Sequence, residues 1–200
     1  MSTSPITTKL FKAVSASTTS LAAAQTLGGA GEMTLTGTAV NDGSNMATTV
    51  TLTSTGNISG VTFTVTGTDI NGSTVTEGIT GPNNSTVTGS QAFLTVTKIE
   101  ADGAVATATS AGFTATTTTQ GIVFAGGTRV RGMHGVSSAT AGALIIRNGS
   151  HTGAKLLELD TPAVAGQVDP YIPDEGVRYK DGAFIDISSG YASATIFFDG

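Results

Sequence analysis

Few residues in this chain have the chemistry for catalysis. His134 and His151 are the only imidazoles among 200 residues, and cysteine and tryptophan are absent. His134 stands in Gly132-Met133-His134-Gly135, and His151 follows the turn-forming Asn148-Gly149-Ser150. Neither belongs to an H-E-x-x-H zinc pattern, and no G-x-S-x-G elbow presents a serine nucleophile. Carboxylates gather from Glu158 to Asp186, namely Glu158, Asp160, Asp169, Asp174, Glu175, Asp181 and Asp186. Oxygen-rich loops hold Ca²⁺ when about six to eight ligands converge. Here the D-x-[DN]-x-[DN]-G spacing is missing, and Arg178 and Lys180 stand among the acids to pair with them. A sugar-cleaving carboxylate pair lacks a tryptophan platform to go with it. Arg129 and Arg131 alternate around Val130, which aims both at one strand face, either to meet a carboxylate or to keep an edge soluble. The expectation is a solvated, partly paired rim with no catalytic residue, no metal site and no cofactor.

The elements that position these residues follow from composition. Nine basic and fourteen acidic residues leave a net charge of −5, and only 12% of residues are charged, about half of the usual ~25%. In their place stand 37 threonines, 18 serines and 27 glycines, with 38% apolar residues. Threonine is β-branched and favours pleated, half-buried surfaces, and glycine supplies turns, so the chain reads as all-β. Without cysteine there is no disulfide framework, zinc–thiolate site or thiol nucleophile. The acidic balance argues against nucleic-acid binding, and no apolar run reaches the ~18 residues of a membrane span. The first residues, Met1 to Lys9, lack a charged segment followed by an apolar one, so synthesis in a cytoplasm is expected.

Composition shifts near residue 120: 32 threonines lie at or before Thr119 and five after it. Two β domains are expected, residues 31–118 and 121–200, preceded by an extended N-terminal arm, residues 1–30. In the arm, Leu10, Phe11, Val14 and Leu21 are scattered apolar residues suited to lie on a neighbouring surface. The first domain shows period-2 alternation, clearest in Val61-Thr-Phe63-Thr-Val65-Thr, and Asn71-Gly72 between alternating runs predicts a tight hairpin of type I′. The second domain offers eight candidate strands: Ile122–Phe124, Thr128–Val136, Leu144–Arg147, Lys155–Leu159, Tyr171–Ile172, Val177–Tyr179, Ala183–Ile187 and Thr195–Phe198. Turn signatures separate them, the pattern of a jelly roll or related antiparallel sandwich. Tyr171, Tyr179, Phe184, Tyr191, Phe197 and Phe198 are its candidate core aromatics.

The series Gly60-Val-Thr-Phe-Thr-Val-Thr-Gly-Thr-Asp69, Asn71-Gly72, Thr76-Glu-Gly-Ile-Thr-Gly-Pro-Asn83 and Phe93-Leu-Thr-Val-Thr-Lys-Ile99 resembles a β module of tailed-bacteriophage virion proteins. Arg129-Val-Arg-Gly132, Arg147-Asn-Gly-Ser150, Tyr171-Ile-Pro-Asp-Glu-Gly-Val-Arg178 and Thr195-Ile-Phe-Phe198 are similar to a second phage module. The resemblance implies a virion structural component and brings no catalytic motif with it. A charge-poor, hydroxyl-rich surface has little long-range repulsion and lets many copies pack together, which suits a capsid decoration (cement) protein. The expected partners are the major capsid protein and further copies of the chain, a trimer being the first guess, with no nucleic acid and no membrane. The expected location is the capsid surface. A tail, neck or head-fibre module that attaches to the host surface is the alternative.

Overall fold

A computed structural model describes residues 5–13, 16–36, 45–114, 118–173, 175–188 and 190–199. Its strands are β1 (Ile6–Lys12), β2 (Ser17–Leu27), β3 (Gly31–Glu32), β4 (Thr48–Asn57), β5 (Thr62–Thr68) and β6 (Thr74–Thr80). They continue as β7 (Asn83–Phe93), β8 (Thr95–Ala101), β9 (Val105–Phe113), β10 (Thr118–Phe124), β11 (Thr128–Ser137) and β12 (Gly142–Asn148). The last are β13 (Lys155–Thr161), β14 (Gly166–Val168), β15 (Val177–Tyr179), β16 (Ala183–Ser188) and β17 (Tyr191–Asp199). The fold is all-β and every strand pairing is antiparallel, with no helix among the described residues, hence none long enough to cross a membrane.

The chain divides into two compact units. A Thr-rich unit comprises Val14–Asp42 and Ala47–Thr116; a C-terminal unit comprises Met1–Ala13, Gly43–Met46 and Thr117–Gly200. In the Thr-rich unit the sheets run β2-β9-β4-β7 and β3-β8-β5-β6. Strand alternation buries Val50 and Leu52 of β4 and Phe63 and Val65 of β5, while Thr62 and Thr64 face water. One apolar cluster, which includes Leu21, Leu52, Phe63, Phe93, Ile99 and Phe113, draws on both sheets and so fills the space between them. Cross-strand threonines also bond directly, Thr53 Oγ1 to Thr86 Oγ1 at 2.8 Å and Thr68 Oγ1 to Thr95 Oγ1 at 2.6 Å.

The hairpin at Asn71-Gly72 is present, with a different turn. Type I′ needs positive φ at two residues, and here only Gly72 has it, at φ 79°. Asp69 accepts from Gly72 N at 3.0 Å through its carbonyl, and its own N–H donates to Ser73 O at 2.9 Å. This is a type I turn closed by a left-handed glycine. The Asp69 carboxylate decides the matter, since Oδ1 accepts from both Asn71 N and Ser73 N, at 2.8 and 2.9 Å. The Asx turn begins at Asp69, two residues before Asn71.

In the C-terminal unit the sheets run β1-β17-β11-β14, with β15 also on β11, and β10-β16-β12-β13. Phe124 of β10 and Phe198 of β17 bring rings from opposite sheets to a centroid distance of 5.9 Å. Tyr191 on β17 donates its hydroxyl to Leu159 O of β13 at 3.2 Å. Seven of the eight candidate strands lie within observed strands; Tyr171–Ile172 forms none, and Tyr171 is 84% exposed. Tyr179 and Tyr191 are fully buried, whereas Phe197 stands on the outer face of β17, 36% exposed.

Taken in sequence order within each unit, with β14 and β15 sharing the sixth place, the strands of both units follow one permutation, 1-8-3-6 in one sheet and 2-7-4-5 in the other. β1 and β2 are the first strands of the two units, each paired with the last strand, β17 and β9. The expected extended N-terminal arm, residues 1–30, is therefore corrected where it is described: Ile6–Lys12 and Ser17–Leu27 are paired strands of the two units. Phe11 and Leu21 are buried within the two units, because β1 and β2 find ladder partners far along the chain that no local pattern reveals.

Candidate interaction surface

The expected arm residues separate in space. Phe11 is fully buried on the inner face of β1; a Cβ on Gly121 would lie 2.8 Å from its ring and from the Met46 sulfur. Leu21 is fully buried in the Thr-rich core. Val14 lies outside the described residues. Of the three described, Leu10 keeps an exposed side chain, at 39%. The register explains why: Leu10 pairs with Thr195, Thr8 with Phe197 and Ile6 with Asp199, so these residues share the outer face, opposite that of Phe11. Leu10, Phe197 and Ile6 thereby form a contiguous exposed apolar patch, Phe197 lying diagonally between the other two.

Beside the patch the same sheet carries charges already paired within the chain. Arg131 Nε donates to Asp199 Oδ2 at 2.7 Å, and that carboxylate holds the guanidinium's pKa above its ordinary value. Arg129 NH1 donates to the Glu175 carbonyl at 2.8 Å and to Glu175 Oε2 at 3.0 Å. His134 Nδ1 lies 2.7 Å from Asp169 Oδ1, both side chains open to water. On the inner face Lys9 is half-buried and donates from Nζ to Ile122 O at 2.7 Å; desolvation lowers its pKa. An inward lysine on an edge strand discourages further strand pairing, so the outer face rather than the β1 edge is the exposed apolar feature.

His151 belongs to a more enclosed cluster. Asp186 of β16 accepts from Arg147 Nε at 2.8 Å and lies 2.6 Å from His151 Nδ1, and Arg147 NH1 also donates to Gly153 O at 3.1 Å. The His151 ring stands edge-on to Phe184 at 5.3 Å. Its Nε2 is buried with no hydrogen-bond partner, so no nucleophile is attached to it. The cluster ties the loop around Gly153 to the sheet and places no reacting pair together. The acidic rim is likewise engaged piecemeal: Lys155 with Glu158, Asn148 with Asp181, Arg129 with Glu175. Asp174 lies outside the described residues. No group of three metal-ligating side chains occurs among the described residues.

Two features escaped sequence reasoning. The first is the pairing of Phe197 with Thr8, a contact between the two ends of the chain. The second is a hydroxyl-lined groove on the Thr-rich unit, bounded by Ser17, Thr51, Thr86 and Thr88. Its residues come from four strands, β2, β4, β7 and β9, whose pairing is not local in sequence. Comparison with family models, with curated proteins and with solved structures returns no match to the chain.

Proposed function

We propose that this chain is a structural protein of a tailed-bacteriophage virion, a capsid decoration protein that binds the major capsid protein on the outer shell and packs with its own copies, in trimers. The observation that carries the reading is the patch of Ile6, Leu10 and Phe197 on the outer face of β1 and β17, three apolar side chains held by a rigid sheet. Exposed apolar groups in a cluster mark contact surfaces. Arg129, Arg131 and His134 of the same sheet are engaged in intramolecular pairs, which reduces the repulsion this face offers to repeated neighbours. The shared strand permutation supports reading each unit as a jelly roll, an architecture common in viral shells. Contact through β1 replaces the wandering arm: Leu10 remains a contact residue, and Phe11 and Leu21 act by holding β1 and β2 in place.

The test is occupancy on particles. Purified virions are imaged by cryo-electron microscopy, and the chain is counted by gel densitometry against the major capsid protein. Many shell-bound copies are expected, and a Leu10→Asp, Phe197→Asp double variant with unchanged thermal melting should leave the shell bare. Absence of the chain from particles, or undiminished occupancy by the double variant, defeats the reading.

A further inference from the structure

A sheet ends in strands whose outward N–H and C=O groups are unpaired, and natural sheets blunt such edges with short strands, bulges or inward charges. Most edges follow that rule among the described residues. In the Thr-rich unit β3 has two residues, and β2 and β7 break register against β9 and β4. Glu77 of β6 turns inward and accepts from Ser90 N and Gln91 N of β7. In the C-terminal unit β14 and β15 have three residues each, and β10 breaks register between Ile122 and Phe124. β1 carries the inward Lys9, and the Asn45 side-chain amide donates to its Leu10 O at 2.9 Å.

β13 is the exception. It ends the sheet β10-β16-β12-β13, and its irregularity is confined to Leu156, so Leu157 to Thr161 run in continuous register against β12. The bonds flanking β12 fix which groups stay open. Gly149 N donates to Gly182 O, just before β16, and Asn148 N donates to Ala154 O, just before β13, both at 2.9 Å. Residues of β12 alternate between its two neighbours, with Asn148, Ile146, Leu144 and Gly142 facing β13. Their partners Leu157, Leu159 and Thr161 turn back to β12. The N–H and C=O groups of Glu158 and Asp160 therefore point to the open side.

Side chains state what fits there. Leu157 and Leu159 are half-buried on the inner face, and Glu158 and Asp160 are exposed on the outer one. Across the ladder Glu158 meets Ile145 and Asp160 meets Ala143, so β12 supplies neither with a cation at that position. Lys155 pairs with Glu158 at 2.9 Å. A second copy pairing along this edge would set acids against acids, which is destabilising. We propose that β13 is a docking edge for an extended segment of another protein, which adds a strand carrying lysine or arginine on the outer face and apolar side chains over Leu157 and Leu159. The proposal does not rest on the shell-contact reading, which concerns the sheet of β1 and β17.

The isotope-labelled full chain is titrated with two blocked peptides of seven residues, the length of β13. One alternates valine with lysine and the other valine with glutamate; NMR reads affinity and amide hydrogen exchange. The lysine peptide should bind ~10-fold more tightly than the glutamate peptide. At saturation it should slow exchange at the Glu158 and Asp160 amides ~10-fold, with little change at Leu157 and Leu159, whose amides already face β12. A Glu158→Lys, Asp160→Lys double variant should reverse the preference, and both side chains are exposed, so its thermal melting should not change. Should that variant fail to fold, the exchange measurement on the parent chain decides. No binding of the lysine peptide, equal binding of both peptides, or binding without slowed exchange at Glu158 and Asp160 each overturns the proposal.

Discussion

Leu10 and Phe11 are sequence neighbours with opposite roles, one exposed and one fully buried. Phe11→Ala should cost ~3–5 kcal/mol, as expected for emptying a buried aromatic site, and Leu10→Ala about 1 kcal/mol or less; urea denaturation measures both. Tyr179 offers a second residue-level test. Its hydroxyl is buried without a partner, and burial pushes its pKa well above the ordinary value of 10.0. Burial, helped by Asp160, also raises that of Tyr191. For each, the folded state holds a proton that the unfolded chain gives up first, so stability should fall as pH rises above about 10. Lys9 acts in the opposite sense: its lowered pKa means the unfolded chain holds the proton longer, so stability rises with pH up to the ordinary lysine value of 10.5. Above that the tyrosines act alone. Tyr179→Phe should therefore gain up to about 1–2 kcal/mol at neutral pH and lose less stability than the parent between about pH 9 and 11, as read from urea midpoints.

At the scale of elements, β1 has the largest consequence. It contributes Phe11, the Lys9 contact to Ile122 and a ladder from Ile6↔Asp199 to Lys12↔Ser193. Removing residues 1–13 should lower the melting temperature of the C-terminal unit and expose the edge of β17 and the core that Phe11 covers, detected as dye binding; an unchanged melt would show β1 to be dispensable. The central strands were legible in sequence because their alternation is local: Phe63 and Val65 inward, Thr62 and Thr64 outward. β1 and β2 were not. Ile6-Thr-Thr-Lys-Leu-Phe-Lys12 has little alternation, and the Ala-rich Leu21–Gln25 would suit a helix, yet both become strands because a long-range ladder outweighs weak local propensity. Tyr171 erred the other way: its aromatic ring suggested a core strand, and the segment between β14 and β15 leaves it in water.

For the molecule as a whole, the repeated strand permutation means that each unit closes both of its sheets with its own strands. The Thr-rich unit has its own apolar core, from Leu21 to Phe113. A fragment spanning residues 16–114 should therefore fold alone, with a β-type circular dichroism spectrum and a cooperative melt; a fragment that stays unfolded would show that its core is insufficient. The C-terminal unit is different, because its first strand is separated in sequence from the rest by almost all of the Thr-rich unit. Residues 121–200 expressed alone lack β1 and should be markedly less stable than the same unit in the full chain.

Threonine-for-charge composition, period-2 alternation and turn residues were enough to determine an antiparallel all-β chain, most of its strands, and the absence of any recognisable catalytic pattern. These are properties of residues close in sequence, where pleat and turn geometry act directly. Only the tertiary structure decided that β1 closes a sheet against the last strand, that Phe197 faces outward beside Leu10, and that β2, β4, β7 and β9 line one groove. Each of these depends on register between segments far apart along the chain. Register is set by which faces bury together, and a shift of one residue exchanges core for surface.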